Sequence, residues 1–86
     1  MGVDPAFRTG CKLAVIDKNG TFLDQAVIYP TPPQNDFQAA KKKVLDLVSR
    51  YNVQGVAIGN GTGSRETQEF FAALNREKGP KLKYTI

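Results

Sequence analysis

The 86-residue sequence has no histidine and no tryptophan, and it carries a single cysteine, Cys11. Without histidine the chain lacks the commonest general base and the commonest nitrogen ligand for metals. Triad hydrolysis and zinc chemistry are therefore not expected. One cysteine cannot close an internal disulfide, and no second cysteine or histidine offers a zinc set. Cys11 borders an apolar run, so it reads as a packed thiol, in keeping with a reducing cytoplasm. No apolar run approaches membrane-spanning length, and the first residues show no secretory leader pattern. No membrane contact is expected. Any catalysis would lean on carboxylates with a hard cation such as Mg²⁺; otherwise no bound cofactor is expected.

What is present is mildly basic, with 12 Lys and Arg against 8 Asp and Glu and a net charge of +4. That balance permits nucleic-acid contact without demanding it. The length admits one small domain with a marginal core.

The opening stretch, Gly2 to Gly10, organises the rest. Val3 feeding Asp4 reads as the end of a buried strand. Pro5 has no N–H for a ladder and fixes φ, so the strand should stop there. Gly10 then lets the chain turn into the next strand. Asp4, Arg8 and Thr9 are thereby delivered to one rim of a sheet. A carboxylate beside a cation and a hydroxyl suits phosphate or metal handling, but an Asp capping its own turn has the same appearance.

Cys11 to Asp17 reads as a strand with an apolar centre. Asn19-Gly20 is a strong hairpin signal, and Thr21 to Tyr29 is the returning strand. Its alternation places Phe22, Ala26 and Ile28 on one face and Leu23, Gln25 and Val27 on the other. Pro30 to Pro33 ends that edge and starts an extended crossover. Asn35 or Asp36 can cap the next helix, with Gln38 reaching back if Asn35 is the cap. Phe37, Ala40, Val44, Leu47, Val48 and Tyr51 form its apolar face, and Asn52 suits a left-handed stop. Lys41-Lys42-Lys43 reads either as a solvated face or as a nucleic-acid contact.

Val56-Ala57-Ile58 is a short apolar run of the kind covered on both faces, expected parallel to the first strand. Gly59-Asn60-Gly61-Thr62-Gly63-Ser64 follows as a glycine-rich strand-to-helix turn. It is neither a Walker loop nor the dinucleotide fingerprint, and tight packing of helix on sheet explains the glycines equally well. The second helix should run to about Lys78, with Thr67, Phe70, Phe71 and Leu74 inward, and Gly79-Pro80 should stop it. Lys81 to Ile86 reads as a fifth strand.

The element order gives an α/β mixed sheet carrying two helices. If the fourth strand lies beside the first, the Asp4 turn and the glycine-rich turn emerge at the carboxyl ends of adjacent strands, where ligands bind in open α/β sheets. Asp4, Arg8, Thr9, Asn60, Thr62, Ser64 and Arg65 would then converge. These residues also carry a resemblance. Gly2-Val3-Asp4-Pro5-x-Phe7-Arg8-Thr9-Gly10-Cys11-Lys12, the Tyr29-Pro30 exit and Ile58-Gly59-Asn60-Gly61-Thr62-x-Ser64-Arg65-Glu66-Thr67 resemble the YqgF-type domain of the Tex transcription accessory proteins.

The resemblance spans nearly the whole chain and implies a ribonuclease H-like fold with sheet order 3-2-1-4-5. It implies that residues 1–86 are one excised domain, truncated in the fifth strand. The parent would be a longer cytoplasmic protein with helix-hairpin-helix segments and an OB-fold RNA-binding module. RNA or DNA and the parent's other domains would be its partners. Related nucleases hold two divalent ions about 4 Å apart with several carboxylates. Asp4 matches the first acid and is the one weak metal candidate. Asn60 falls near the second acid, and the third would sit in a C-terminal helix absent here. Glu66 is expected to stabilise its helix start.

One firm carboxylate is too few, so no nuclease activity is expected. The rim reads instead as a nucleic-acid or phosphate contact. Arg8, Lys12 and Arg65 would supply charge, and Thr9, Gly61, Thr62 and Ser64 would supply donors. The alternatives are a metal-dependent nuclease whose other acids lie outside this chain, nucleotide binding, and a scaffold that only docks other parts of the parent.

Overall fold

The structure, a computed structural model, describes residues 1–32, 34–77 and 81–86. Its elements are β1 (Gly2–Asp4), β2 (Cys11–Ile16), β3 (Phe22–Ile28), α1 (Phe37–Tyr51), β4 (Gly55–Ile58), α2 (Ser64–Arg76) and β5 (Lys83–Thr85). They build one five-stranded sheet in the order β3-β2-β1-β4-β5. The pairs β1–β2 and β2–β3 are antiparallel, while β1–β4 and β4–β5 are parallel. This is the ribonuclease H-like α/β arrangement expected from the sequence. The anticipated stop at Gly79-Pro80 lies outside the described residues.

Strand alternation decides where the core lies. Val3 stands beside Leu13 on one side and Ile58 on the other, so all three point to the same face of the sheet. Both helices pack there, through Ala40, Val44, Leu47 and Val48 of α1 and Phe70, Phe71 and Leu74 of α2. Phe71 and Val44 are wholly buried. Each fully buried side chain of this size contributes about 1.5–3 kcal/mol, which a domain of this size needs.

The helix ends follow local chemistry. Asp36 caps α1, accepting the Ala39 N–H at 3.3 Å. Asn35 instead takes a left-handed φ of 48° ahead of the cap. At the other end Asn52 adopts the left-handed conformation, and the Val53 N–H closes on the Val48 carbonyl at 3.1 Å. The N-cap of α2 is Gly63, which makes no side-chain cap. Glu66 lies in that first turn, where its charge complements the helix dipole. Beyond α2, the Asn75 side chain accepts from the Leu82 N–H and donates to the Leu82 carbonyl, fastening the start of β5.

The lysine run divides. Lys41 pairs with Glu77 between the two helices, and Lys43 donates to the Val27 carbonyl of β3 at 3.0 Å. β3 is an edge strand, and a lysine on its backbone is a common means of blunting an edge. Lys42 is exposed.

Two expectations need correction. Phe22 does not share a face with Ala26 and Ile28. The ladder shifts register between Val15 and Ile16, so Asp24 pairs with Val15 but Phe22 pairs with Ile16. This bulge turns Phe22 away from the core and leaves it 57% exposed. Nor is the Val56–Ile58 run covered on both sides within the described residues. Val56 and Ile58 are buried, but Ala57 is exposed because both helices lie on the opposite face.

Candidate nucleic-acid interface

The parallel pairing of β1 with β4 brings the two turn motifs to one rim. The Gly59 N–H donates to the Val3 carbonyl at 2.8 Å, carrying the ladder into the glycine-rich turn. Pro5 and Phe7 then lean across. A Cβ on Gly59 would lie 3.4 Å from the Val3 oxygen and 3.6 Å from Pro5 Cδ. One on Gly63 would lie 3.5 Å from Pro5 Cβ and 3.6 Å from the Phe7 ring. Gly63 also needs its left-handed φ of 87° to enter α2. The glycines thus serve close packing between the two turns.

Arg8 and Thr9 are exposed in the β1–β2 connection. Their turn is also tied to the approach to α1, since Gln34 Nε2 donates to the Arg8 carbonyl at 3.3 Å. Gly10 closes the turn with φ 80° beneath the Tyr29 ring. Sequence reasoning took Pro5 as a strand stop and Phe7 and Tyr29 as part of the family pattern, but gave none of them, nor Gln34, a packing role at the rim. A proline and an aromatic facing a glycine-rich turn were the available signal.

Asp4 is exposed at the end of β1, next in register to Lys12 of β2. Both line a groove with Gln25, Ala57 and Gly59. Asn60, Gly61, Thr62 and Arg65 are exposed and Ser64 is half-buried. Among the described residues no hydrogen bond or ion pair joins Asp4 to Asn60 or to any of the three candidate cations. Among the described residues the ion pairs are Lys41–Glu77, Arg50–Asp24 and Arg50–Asp46, and Arg8, Lys12 and Arg65 take part in none of these. Among the described residues topology therefore assembles one rim, with its cations outside those ion pairs, but no side-chain cluster centred on Asp4.

Among the described residues the donor set is short of a two-ion nuclease centre. Among the described residues no three His, Cys, Asp or Glu side chains stand close enough to hold a metal together. Glu66, the carboxylate nearest to Asn60 in sequence, lines a groove with Pro30, Phe37 and Phe70.

All 86 residues match the Tex protein YqgF-like domain. The chain belongs to that family. It is 51% identical over its full length to the uncharacterised protein YdcI of Bacillus subtilis, of which it covers 12%. It is 46% identical over 69 residues to the protein tex of Bordetella pertussis, covering 80% of this chain and 9% of that protein. It is 45% identical over 74 residues to the human S1 RNA-binding domain-containing protein 1, covering 86% of this chain and 7% of that protein. The YqgF-like domain thus spans about a tenth of the curated relatives it matches. No helix among the described residues is long and apolar enough to cross a membrane.

Proposed function

We propose that this YqgF-like domain contacts RNA or DNA through the β1–β4 rim, as one part of a longer cytoplasmic transcription accessory protein, and does not cut it. The observation that carries this reading is the packing of the Pro5–Phe7 turn on Gly59 and Gly63, which makes one rim of two turns. Arg8, Lys12 and Arg65 lie on its elements without a carboxylate ion pair among the described residues, and such cations suit phosphate oxygens. Thr9, Thr62, Ser64 and the Gly61 amide add neutral donors. Asp4 and Asn60 mark the place where related nucleases carry acids, and a lone carboxylate does not hold two divalent ions.

Amide-shift titration with single-stranded RNA and DNA at two salt concentrations tests the reading. The expected result is movement of the Asp4–Lys12 and Gly59–Arg65 signals at low salt, weakening at high salt. No movement at low salt would overturn it. A scaffold role would then stand, supported by the same wedge of Pro5 and Phe7 and by the Gln34 tie. Mg²⁺-dependent cleavage of branched DNA or of RNA, lost in Asp4→Ala, would refute the non-cleaving half of the proposal.

A further inference from the structure

The large apolar side chains that reach solvent are not scattered evenly. Ile16, Phe22 and Leu23 gather where β2 meets β3, at the end of the sheet away from the rim. Tyr29, 37% exposed, stands at the rim itself. Since β1–β2 and β2–β3 are both antiparallel, β3 points the same way as β1, and Tyr29 leaves β3 at the end where Asp4 leaves β1. The rim thus takes in the exits of β3, β1 and β4. From the first to the last is three strand spacings, about 14 Å.

The backbone at Tyr29 is fixed on both sides. Ile28 before it is buried and paired with Cys11, and Pro30 after it has a fixed φ. The Tyr29 carbonyl accepts the Asp36 N–H at 2.7 Å. The ring flank, Cε1 and Cδ1, takes the space that a Cβ on Gly10 would fill, 2.6 and 2.8 Å from that position. A tyrosine held in this way has two torsions left to order, so it loses little freedom when a partner stacks on it. Exposed Arg8 and Thr9 lead directly into Gly10 at the ring, and Gln34 holds the Arg8 carbonyl.

We propose that Tyr29 is a stacking platform for one unpaired base, with Arg8 on the phosphate beside it. An exposed aromatic set among cations and small donors is the means by which proteins take single-stranded nucleic acid. Every base offers a π face, and in a duplex those faces are already stacked on one another. The strand runs from Tyr29 past Arg8 and Lys12 towards the Gly61–Arg65 turn. At about 3.4 Å between phosphates that path takes about four nucleotides. In the other direction, beyond Pro30, Glu66 and Glu69 line the surface and repel phosphate. The ligand is a single-stranded or looped-out stretch of RNA or DNA, and a continuous duplex does not reach the ring. The proposal rests on nucleic-acid contact at the rim and narrows its ligand. Its rival is a ring that only covers Gly10, a task that another apolar side chain would also perform.

Binding of a short single strand to the full-length protein carrying this domain separates the two. One strand has all its bases, and the other has the same phosphates on abasic sugars. Arg8→Ala is expected to weaken both. Tyr29→Leu, which keeps an apolar cover on Gly10, is expected to weaken the first at least about fivefold and to leave the second, and the salt slope, unchanged. Tyr29→Trp should keep the wild-type affinity. RNA and DNA of one sequence are run side by side. Equal losses mean that the ring reads a base face alone, and a loss on one polymer assigns the ligand to it. No effect of Arg8→Ala on either strand would remove the rim contact and the platform with it. Weakening by Arg8→Ala with none by Tyr29→Leu would overturn the platform and leave the rim. Equal weakening of both strands by Tyr29→Leu would overturn it too, because a base is then not what the ring holds. Cys11, 1% exposed, reacts with a thiol label only on unfolding and reports whether Tyr29→Leu is folded. If that variant is unfolded, the wild-type protein decides. A strand carrying iodouracil should crosslink to Tyr29 on irradiation, and crosslinks that form only elsewhere in the chain would overturn the proposal.

Discussion

Cys11 Sγ lies 3.5 Å from Thr67 Oγ1, deep beneath the rim. The Thr67 hydroxyl donates its proton to the Gly63 carbonyl at 2.7 Å, so in the Cys11–Thr67 contact the thiol is the donor. This short chain joins β2 to the glycine-rich turn from below, while Pro5 and Phe7 hold the same turn from the side. The Gly63 carbonyl also accepts the Thr67 N–H at 2.9 Å. A turn without a side-chain cap is thereby fixed through its carbonyl end.

Thr67→Val keeps the shape of this buried side chain and removes only its hydroxyl. The Gly63 carbonyl retains one partner while the Cys11 thiol loses its acceptor, so the loss is one hydroxyl hydrogen bond and one weak thiol contact, about 1–2 kcal/mol together. Urea unfolding should show a lower midpoint at unchanged slope. The amide shifts of Gly61 to Gly63 should also move more than those of residues elsewhere in α2. An unchanged midpoint together with unmoved turn signals would refute the role given to this contact.

Gly10→Ala should be costlier. The residue holds φ at 80°, and an added Cβ would stand 2.6 Å from Tyr29 Cε1 and 2.8 Å from the Ile28 carbonyl oxygen. A ring can swing aside, but the carbonyl belongs to a paired strand and cannot move freely. Backbone strain and overlap act together, so destabilisation above about 1 kcal/mol is expected, with Gly20→Ala as the comparison. Gly20 has a similar φ of 83° in open space, so it isolates the strain component.

The β3–α1 seam should make stability depend on pH at the acid end. Tyr51 donates to Asp24 at 2.8 Å, and Arg50 lies 3.5 Å from the same carboxylate. The Tyr51 hydrogen bond first, then the Gln25 N–H and the Arg50 charge, hold the Asp24 carboxyl below its ordinary value of 3.8. A carboxyl whose folded value is depressed adds stability above its unfolded value and loses it as pH falls through the folded one. Melting temperature should therefore fall on acidification below about pH 4. In Tyr51→Phe that fall should be shallower, because the largest cause of the depression is gone. An identical acid limb in the two proteins would contradict this assignment.

Much of the fold was legible because its signals are local. Asn52 as a left-handed stop, Asp36 as one of two possible caps, and the inward set Thr67, Phe70, Phe71 and Leu74 each follow from one residue type or one period. The position of Phe22 was not legible. A bulge adds one residue to a strand without any composition signal, and every side chain beyond it then changes face. The same limit applied to the rim. Adjacency of β1 and β4 followed from the crossover rule, and the structure has it. The packing of Phe7 on Gly63 and the thiol–hydroxyl contact depend on side chains far apart in sequence, which periodicity does not connect. The apolar run Val56–Ile58 was informative in another way. It reads as a strand covered on both faces, and its second face is the one that neither helix covers among the described residues.

If the rim binds nucleic acid, the salt dependence of binding should count its phosphate contacts. Each contact to a single strand releases condensed counterions and adds about 0.7 to the slope of log affinity against log salt. Arg8→Ala, Lys12→Ala and Arg65→Ala should each weaken binding to single-stranded RNA irrespective of sequence. Each should also flatten the slope by about that amount, because phosphate contacts carry no base information. Lys42→Ala, on a helix that packs against the other face, serves as the control and should leave the slope unchanged. Fluorescence anisotropy over a salt series reads both quantities. A slope that drops for Lys42→Ala but not for the three rim variants would move the contact from the β1–β4 rim to the lysine run of α1.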